Sequence, residues 1–498
     1  MRKSVLRAVS GLACALLAAG CGPGAVAVAP TQHAVPPVRH AVPPTQPAAR
    51  PNFIFVLTDD LSWNLVSHMP HVLALQKAGT TMSRYYVVDS LCCPSRSAIF
   101  TGEYPHDDGV FTNVGSDGGY AAYNQNGDQS RSFAVALQKA GYRTAMMGKY
   151  LNGYTPNEDP PAPGWDVWDV AGAGYGEFDY GLNENGKVVQ YGHKATDYLT
   201  DVLASKADSF VSSSASSGQP FMLEVATFAP HAPFTPAPRY AHAASGVAYP
   251  KTPAYDRLPV NPPSWLRQAQ PLSPGEQRRI TSIYDLRIED DLSVDDMIGG
   301  LERELQAKGL AKNTYFVFSS DNGYHMGEYR LHPGKQTAFD TDIHVPLIVA
   351  GPGVPAGRVL TQLASNIDLC PTFETLAGVA VPATVDGHSL AALWHGQSPG
   401  DWRQAVLIEH HGHDDTPGDP DAQDAASADP PSYEAVRTAT ALYVVYSTGE
   451  QEYYNTLKDP YELDNIAADG IPAALKRALK AMETCHTGVT CWAASHLS

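Results

Sequence analysis

Basic residues are scarce in this 498-residue chain: 34 Lys and Arg stand against 52 Asp and Glu, a formal net charge of −18. That balance excludes a general binding face for nucleic acid or for an anionic membrane, because both are negative. An anionic small group would need a local cationic pocket. Cysteine is sparse too, at seven residues, far below the density of a small disulfide scaffold. No stretch reaches the roughly 18 uninterrupted apolar residues of a membrane-spanning helix. What is present is 43% hydrophobic residues, enough to build a large core in one main domain with an appendage.

The first residues are expected to form an export signal. Met1-Arg2-Lys3 and Arg7 supply positive charge, and Leu12 to Ala19 is a short apolar run. Leu17-Ala18-Ala19-Gly20-Cys21 resembles a bacterial lipobox with cleavage before Cys21, although Ala18 stands where Leu is commoner. Cleavage near Ala25-Val26-Ala27 is the alternative. The expectation is a signal segment over residues 1–21 and an exported protein, either a cell-surface lipoprotein or a free secreted one. Its only membrane contact would be an N-terminal lipid anchor. Residues 22–50 are rich in Ala, Pro and Val and repeat His-Ala-Val-Pro-Pro at His33 and His40, as in a semi-rigid tether. Export permits disulfides. Cys485 and Cys491 close a short loop and are the expected pair, with Cys93 and Cys370 as buried thiols.

From Pro51 the character changes. Asn52-Phe53-Ile54-Phe55-Val56-Leu57 is a continuous apolar run ending in Thr58-Asp59-Asp60, the pattern of a strand covered on both faces. Phe221 to Ala226, Thr314 to Phe318 and Val345 to Val349 repeat it. Between them, Phe133 to Ala140 and Ile280 to Lys308 carry apolar residues at helical spacing. The alternation predicts an α/β fold, with a mainly parallel central sheet flanked by helices over residues 51–396. Residues 412–432, rich in Asp, Pro, Ala and Gly, are expected to form a long mobile loop. Tyr433 to Thr440, Tyr443 to Tyr446 and Glu452 to Tyr454 suggest a small antiparallel sheet, and Ala473 to Met482 a closing helix. A smaller C-terminal subdomain over residues 397–498 is expected. Glu409-His410-His411-Gly412-His413 fits a surface or rim segment better than a second metal site.

In an open α/β sheet, ligands gather beyond the carboxyl ends of the strands. The first run delivers Asp59 and Asp60 there, the second leads to Pro230-His231, and the third to Ser320-Asp321-Asn322-Gly323-Tyr324-His325. Carboxylate and amide oxygens suit Ca2+ or Mg2+. The two acidic pairs meet only if their strands are neighbours. The densest motif is Cys92-Cys93-Pro94-Ser95-Arg96 followed by Thr101-Gly102. In the pattern C-x-P-S-R, the proline two residues on selects Cys92 over Cys93.

With this motif the chain resembles the type I, formylglycine-dependent sulfatases of the alkaline phosphatase superfamily. It is most similar to the branch of N-acetylglucosamine-6-sulfatase and the extracellular glucosamine 6-O-endosulfatases. Further matching phrases are Gly148-Lys149-Tyr150-Leu151-Asn152, Ala229-Pro230-His231-Ala232-Pro233, Asp321-Asn322-Gly323-Tyr324-His325, Gly351-Pro352-Gly353 and Lys458-Asp459-Pro460-Tyr461-Glu462-Leu463. The resemblance implies that a formylglycine-generating enzyme oxidises Cys92 to an aldehyde, which also accounts for the odd cysteine count. It implies that Asp59, Asp60, Asp321, Asn322 and modified Cys92 hold one Ca2+, with Mg2+ as the alternative. Arg96 would stabilise the hydrated aldehyde. Lys149, His231 and Lys335 would surround the sulfate, His231 as the acid for the leaving alcohol. His325 is a further candidate in the same pocket, as the base for sulfate release. The implied reaction is hydrolysis of a sulfated sugar, above all an amino sugar, or of a small sulfate ester. Many arylsulfatases carry a histidine two residues after the lysine; here Leu151 stands there, as in the glucosamine branch. Two alternatives stay open: a phosphodiester or phosphonate monoester hydrolase using the same formylglycine, and an inactive sulfated-glycan binding protein.

Overall fold

All seven residues of Asn52–Thr58 are buried, as the unbroken apolar run requires. This strand, β1, lies at the centre of a ten-stranded sheet. β2 (Arg143–Lys149), β3 (Val167–Ala171), β4 (Phe221–Ala226) and β5 (Thr314–Ser320) run parallel to it, in the spatial order β5-β1-β4-β2-β3. β6 (Leu347–Ala350) joins β5 in the antiparallel sense. Short strands, Thr80–Met82 and Arg358–Leu360 on one side and the hairpin Gly181–Glu184/Lys187–Gln190 on the other, complete the edges. The structure, a computed structural model, describes residues 50–413, 419, 421–423 and 425–497. The expected export signal and nearly all of the expected tether lie outside the described residues.

Register decides where the site forms. Thr58 lies opposite Ser320, Leu57 opposite Ala226, and Gly148 opposite Ala226. The parallel strands therefore end level, and Asp59, Lys149, Thr227 and Asp321 stand at one carboxyl edge. The condition that the sequence left open is met, because the two acidic pairs follow adjacent strands.

Three helices matter for that edge. α1 (Cys92–Thr101) is buried along its whole length. α2 (Leu199–Ser217) packs on β2, β4 and α3 (Pro274–Ala307). α3 starts six residues before the apolar periodicity does. Its start is set by Ser273, whose hydroxyl accepts the Glu276 amide at 3.1 Å, with Pro274 at the first helical position.

The C-terminal part holds a separate four-stranded antiparallel sheet: β7 (Ala405–His410), β8 (Tyr433–Thr438), β9 (Leu442–Tyr446) and β10 (Gln451–Tyr454). The sequence suggested three of these strands. The fourth, β7, carries Glu409 and His410, both buried, which corrects the expectation of a surface segment. His411 stacks on Phe111 at 3.7 Å. The closing helix spans Ala473–Met482, and a second short helix, Gly488–Ala494, follows. A disulfide joins Cys485 to Cys491. Cys93 and Cys370 are free thiols in the hydrophobic core. Among the described residues, no helix is long and apolar enough to cross a membrane.

Candidate active site

α1 presents Cys92 as its first residue. Cys93 and Pro94 follow in the same turn, where a proline loses no hydrogen bond, since those first amides have no partner within the helix. At the other end Thr101 Oγ1 donates to the Ser97 carbonyl at 2.9 Å and accepts the Glu103 amide at 3.1 Å. Gly102 ends the helix with φ of 73°, and a Cβ there would sit 2.8 Å from Val385. The Thr-Gly half of the motif thus terminates the helix that the Cys half begins.

Cys92 Sγ lies 2.8 Å from Lys335 Nζ, 3.3 Å from Asp59 Oδ1 and 3.4 Å from Asp421 Oδ2. Cys93 turns its thiol into the core; its amide donates to Asn113 Oδ1 at 2.9 Å. Cys92, and not Cys93, therefore joins the charged cluster.

The other expected residues converge on the same point. Lys149 Nζ lies 2.6 Å from Asp59 Oδ2, and Lys335 Nζ 2.7 Å from Asp60 Oδ1. Arg96 donates from Nε to Asp321 Oδ2 at 2.8 Å and from Nη1 to the Lys149 carbonyl at 3.0 Å. Asn322 Nδ2 donates to Asp60 Oδ1 at 2.6 Å, and the Asp60 amide to Asp321 Oδ1 at 3.1 Å. His231 Nε2 is 3.6 Å from Asp60 Oδ2. Asp60 itself has φ of 66°, a left-handed conformation that a non-glycine residue adopts under external constraint. Arg287, reaching over from α3, holds its carbonyl.

Burial and charge act in opposite senses here. Burial pushes the Asp59 carboxyl up to about 6, although Lys149 pulls it down. Burial also works to raise Asp321, but Arg96, Lys149 and Lys335 overcome it and hold it at about 2. Burial works to lower both lysines. Asp59 outweighs it at Lys149, and Asp421 with Asp60 at Lys335, so both ammonium groups are kept charged. For the Cys92 thiol, burial, Asp421 and Asp59 all raise the pKa well above its usual value. An unmodified Cys92 is thus held as a thiol, the weakly nucleophilic form.

The donor set fits a hard divalent cation. Asp59, Asp60 and Asp321 bring three buried carboxylates to one place, and Asn322 Oδ1 is buried there with no hydrogen-bond donor. An orphaned amide oxygen among carboxylates is a ligand set for Ca2+. Ligand atoms of Asp59, Asp60, Cys92 and His231 lie within 4.8 Å of one another.

His325 departs from expectation. It bridges to Gly334, next to Lys335, but both its ring nitrogens are taken. Nδ1 faces the Asp342 carboxylate at 2.9 Å and Nε2 the Ser427 carbonyl at 2.6 Å. Two acceptors require two N–H donors, which leaves no lone pair for a base. In this structure both ring nitrogens of His325 are engaged, and its backbone bridges to the residue before Lys335.

Sequence reasoning missed three residues. Asn113, Asn152 and Asp421 close the pocket, with Asn113 Nδ2 at 2.9 Å and Asn152 Nδ2 at 3.3 Å from Asp421 Oδ2. Asp421 comes from the segment expected to be a mobile loop, yet it is only 2% exposed. Asn152 stands in the Gly-Lys-Tyr-Leu-Asn phrase, a signal that was present but not used.

A strand-edge cluster of a helix-borne cysteine, three carboxylates, two lysines and an imidazole has the charge and donor set that suits hydrolysis of an anionic ester. Residues 51–379 match the family described as Sulfatase, and residues 327–485 the C-terminal region of N-sulphoglucosamine sulphohydrolase. The chain belongs to the sulfatase family, enzymes that hydrolyse sulfuric esters. It is 34% identical to the human N-acetylglucosamine-6-sulfatase over 478 residues, covering 89% of this chain and 86% of that protein. It is 36% identical over 377 residues to an extracellular sulfatase homolog of Drosophila melanogaster, covering 74% of this chain and 34% of the relative, so it spans about a third of that protein's length. A solved structure described as in complex with its substrate D-glucosamine-2-N,6-O-disulfate superimposes with a TM-score of 0.71 at 23% identity, over 87% of this chain and 97% of that one. That likeness concerns the fold.

Proposed function

We propose that the protein hydrolyses the sulfate ester of a sulfated amino sugar, using formylglycine at position 92 and one Ca2+. The observation that carries this is the convergence of Asp59, Asp60, Asp321, Asn322, Arg96, Lys149, His231 and Lys335 around Cys92 in one buried cluster. The identity with human N-acetylglucosamine-6-sulfatase supports the amino sugar. A formylglycine-generating enzyme is the proposed maturation partner, nucleic acid is not a partner, and Mg2+ is the alternative ion. Residues 51–396 are proposed as the catalytic part and residues 397–498 as a subdomain around the antiparallel sheet. Export is proposed, as a lipid-anchored or a free protein.

Formylglycine would supply a hydrated aldehyde as nucleophile, and Ca2+, held by Asp59, Asp60, Asp321, Asn322 and residue 92, would neutralise charge on sulfate. The protein's own side chains do the rest. Arg96 is fixed by Asp321 and the Lys149 carbonyl, and its guanidinium is the proposed stabiliser of the hydrated aldehyde at 92. Lys149 and Lys335 set two ammonium groups where negative charge builds on the leaving oxygen. Removing either should lower kcat rather than only raise KM, by about 2–4 kcal/mol in the barrier. Lys149→Ala and Lys335→Ala should be measured beside Lys308→Ala, a control at the exposed end of α3 paired with Glu304 at 3.5 Å. Near wild-type kcat in both pocket variants would refute the clamp.

His231 is the proposed acid. Its Nδ1 faces the Ala232 carbonyl at 2.7 Å, which leaves Nε2 as the nitrogen that exchanges its proton with the substrate. Burial works to lower its pKa, but Asp421, Asp60 and Asp59 outweigh burial and the net shift is upward. The protonated form then persists above the ordinary imidazole range and is lost as pH rises through the raised value. The pH profile of kcat/KM, which reports the free enzyme, should therefore fall on its alkaline side, and His231→Gln should flatten that limb. An unchanged alkaline limb in His231→Gln would assign the acid elsewhere.

The function is tested by parallel assays of 6-sulfated N-acetylglucosamine and a phosphonate monoester, after coexpression with a formylglycine-generating enzyme. Faster sulfate turnover is expected. Faster phosphonate turnover would move the assignment to phosphonate hydrolysis, and no turnover by converted protein would leave a glycan-binding role.

A further inference from the structure

We infer that the carboxylate of Asp421 occupies the place of the substrate's sulfate group, so that a sulfate ester binds only by displacing it; this rests on the sulfatase assignment of the site. Asp421 Oδ1 lies 2.5 Å from His231 Nε2 and 2.8 Å from Lys335 Nζ. Its Oδ2 lies 2.9 Å from Asn113 Nδ2, 3.3 Å from Asn152 Nδ2 and 3.4 Å from Cys92 Sγ. Four nitrogen donors from four separate parts of the chain thus converge on one small anion. Two of them are cationic or become so, and two are neutral amides. This is the donor set that recognises an oxyanion, and the chain fills it with its own carboxylate.

Closure of the site points the same way. Cys92, Lys335, Lys149 and His231 are exposed by only 0, 1, 2 and 3%. An ester bound to a sugar cannot reach position 92 while all of these groups are covered. The strand ends belong to the sheet, and α1 is buried along its whole length. Asp421, in contrast, lies between β7 and β8 outside any regular element. Its backbone is held by its amide on Asp419 Oδ1 at 2.9 Å, and by Gln423 and Gln336 on its carbonyl at 2.8 and 3.2 Å. Displacing its carboxylate breaks side-chain contacts that an incoming sulfate remakes one for one. Asn113 and Asn152 then become sulfate ligands beside Lys335 and His231.

An anion tethered in the same chain competes at high effective concentration. It lowers the apparent affinity for every sulfate by the fraction of molecules whose cradle is free. The competition also acts on the product. Free inorganic sulfate, facing two lysines and a divalent cation, would otherwise leave slowly, and the returning carboxylate helps expel it.

Calorimetric titration of inorganic sulfate into the mature protein with Ca2+ present tests this directly. Asp421→Ala is expected to bind sulfate at least about tenfold more tightly than the wild type, because the competitor is gone. Asn113→Ala added to that variant should cancel part of the gain. Asp401→Asn removes one negative charge from a side chain that is 79% exposed and outside the site, and should change sulfate affinity by less than about twofold. Unchanged or weaker binding in Asp421→Ala would overturn the inference. So would an equal gain in Asp401→Asn, which would reduce the effect to net charge. Thermal unfolding checks that each variant is folded, and Asp421→Asn replaces the alanine variant if that one is not. Turnover separates this from the function proposed above. A wild type inert on every sulfate ester, with Asp421→Ala still gaining sulfate affinity, would sink the functional assignment and leave the displacement standing. An active wild type whose variant gains nothing would do the reverse.

Discussion

Cys92→Ala should be a folded protein with no measurable sulfate-ester turnover. The thiol sits at the first position of α1 with Lys335, Asp59 and Asp421 around it. Each neighbour keeps another partner when the sulfur goes: Lys335 retains Asp60 and Asp421, and Asp59 retains Lys149. No buried charge is orphaned, so the cost falls on chemistry and not on the fold. Removing a covalent nucleophile takes away about 10⁶ in kcat where this has been dissected in other hydrolases. Cys93→Ala removes a free thiol buried in the hydrophobic core, and its activity should stay within a few-fold of wild type. The same experiment settles the modification. In active protein, the peptide spanning Cys92 should be lighter by about 18 Da, the change from thiol to aldehyde. Turnover surviving Cys92→Ala, or the mass change appearing on Cys93, would put the nucleophile elsewhere.

The parts of this molecule that sequence made legible are those whose physics is local. β1 is covered on both faces, so all seven of its positions are buried and the apolar run has no gaps. The Cys92 motif reads as one unit because a helix start, a proline in its first turn and a terminating Thr-Gly are all within one helix. β7 was missed for the opposite reason. Its last two residues are polar, and the Glu409 carboxylate is met inside by His106 Nδ1 at 2.9 Å from 303 residues away. Asp421 was illegible for the same cause. It stands in a stretch rich in Asp, Pro and Ala whose composition argues for a solvated loop. The groups that bury it are 190, 269 and 308 residues distant at His231, Asn152 and Asn113. His325 lay in a matched phrase, and nothing nearby in sequence shows that Asp342 and Ser427 engage both nitrogens.

Asp321 carries the second large effect. Its two oxygens serve different partners: Oδ2 takes the Arg96 guanidinium at 2.8 Å, and Oδ1 takes the amides of Asp60 at 3.1 Å and of Asn322 at 2.8 Å. Arg96, Lys149 and Lys335 hold its pKa at about 2 against burial, so it is ionised throughout the working range and its charge is available to a cation. Since the folded value lies below the ordinary carboxylate value, the stability it contributes is present above about pH 4 and is lost as the pH falls toward 2. Asp321→Ala strips the partner from a buried arginine and should cost about 3–5 kcal/mol of stability, enough to confuse a loss of activity with a loss of fold. Asp321→Asn is the informative variant, because it keeps the shape and one acceptor while deleting the charge. It should remain folded, bind Ca2+ at least about 100-fold more weakly, and lose about 10³ or more in kcat/KM at low Ca2+. Raising Ca2+ should recover part of that loss, which a purely structural defect would not permit. Chelation of the wild type should abolish turnover, and Ca2+ or Mg2+ should restore it. If exhaustive chelation left the wild-type rate unchanged, or if added Ca2+ did nothing for Asp321→Asn while the variant was folded, Asp59, Asp60, Asp321 and Asn322 would have to be reassigned from metal ligands to a network that only orients Arg96 and Lys149.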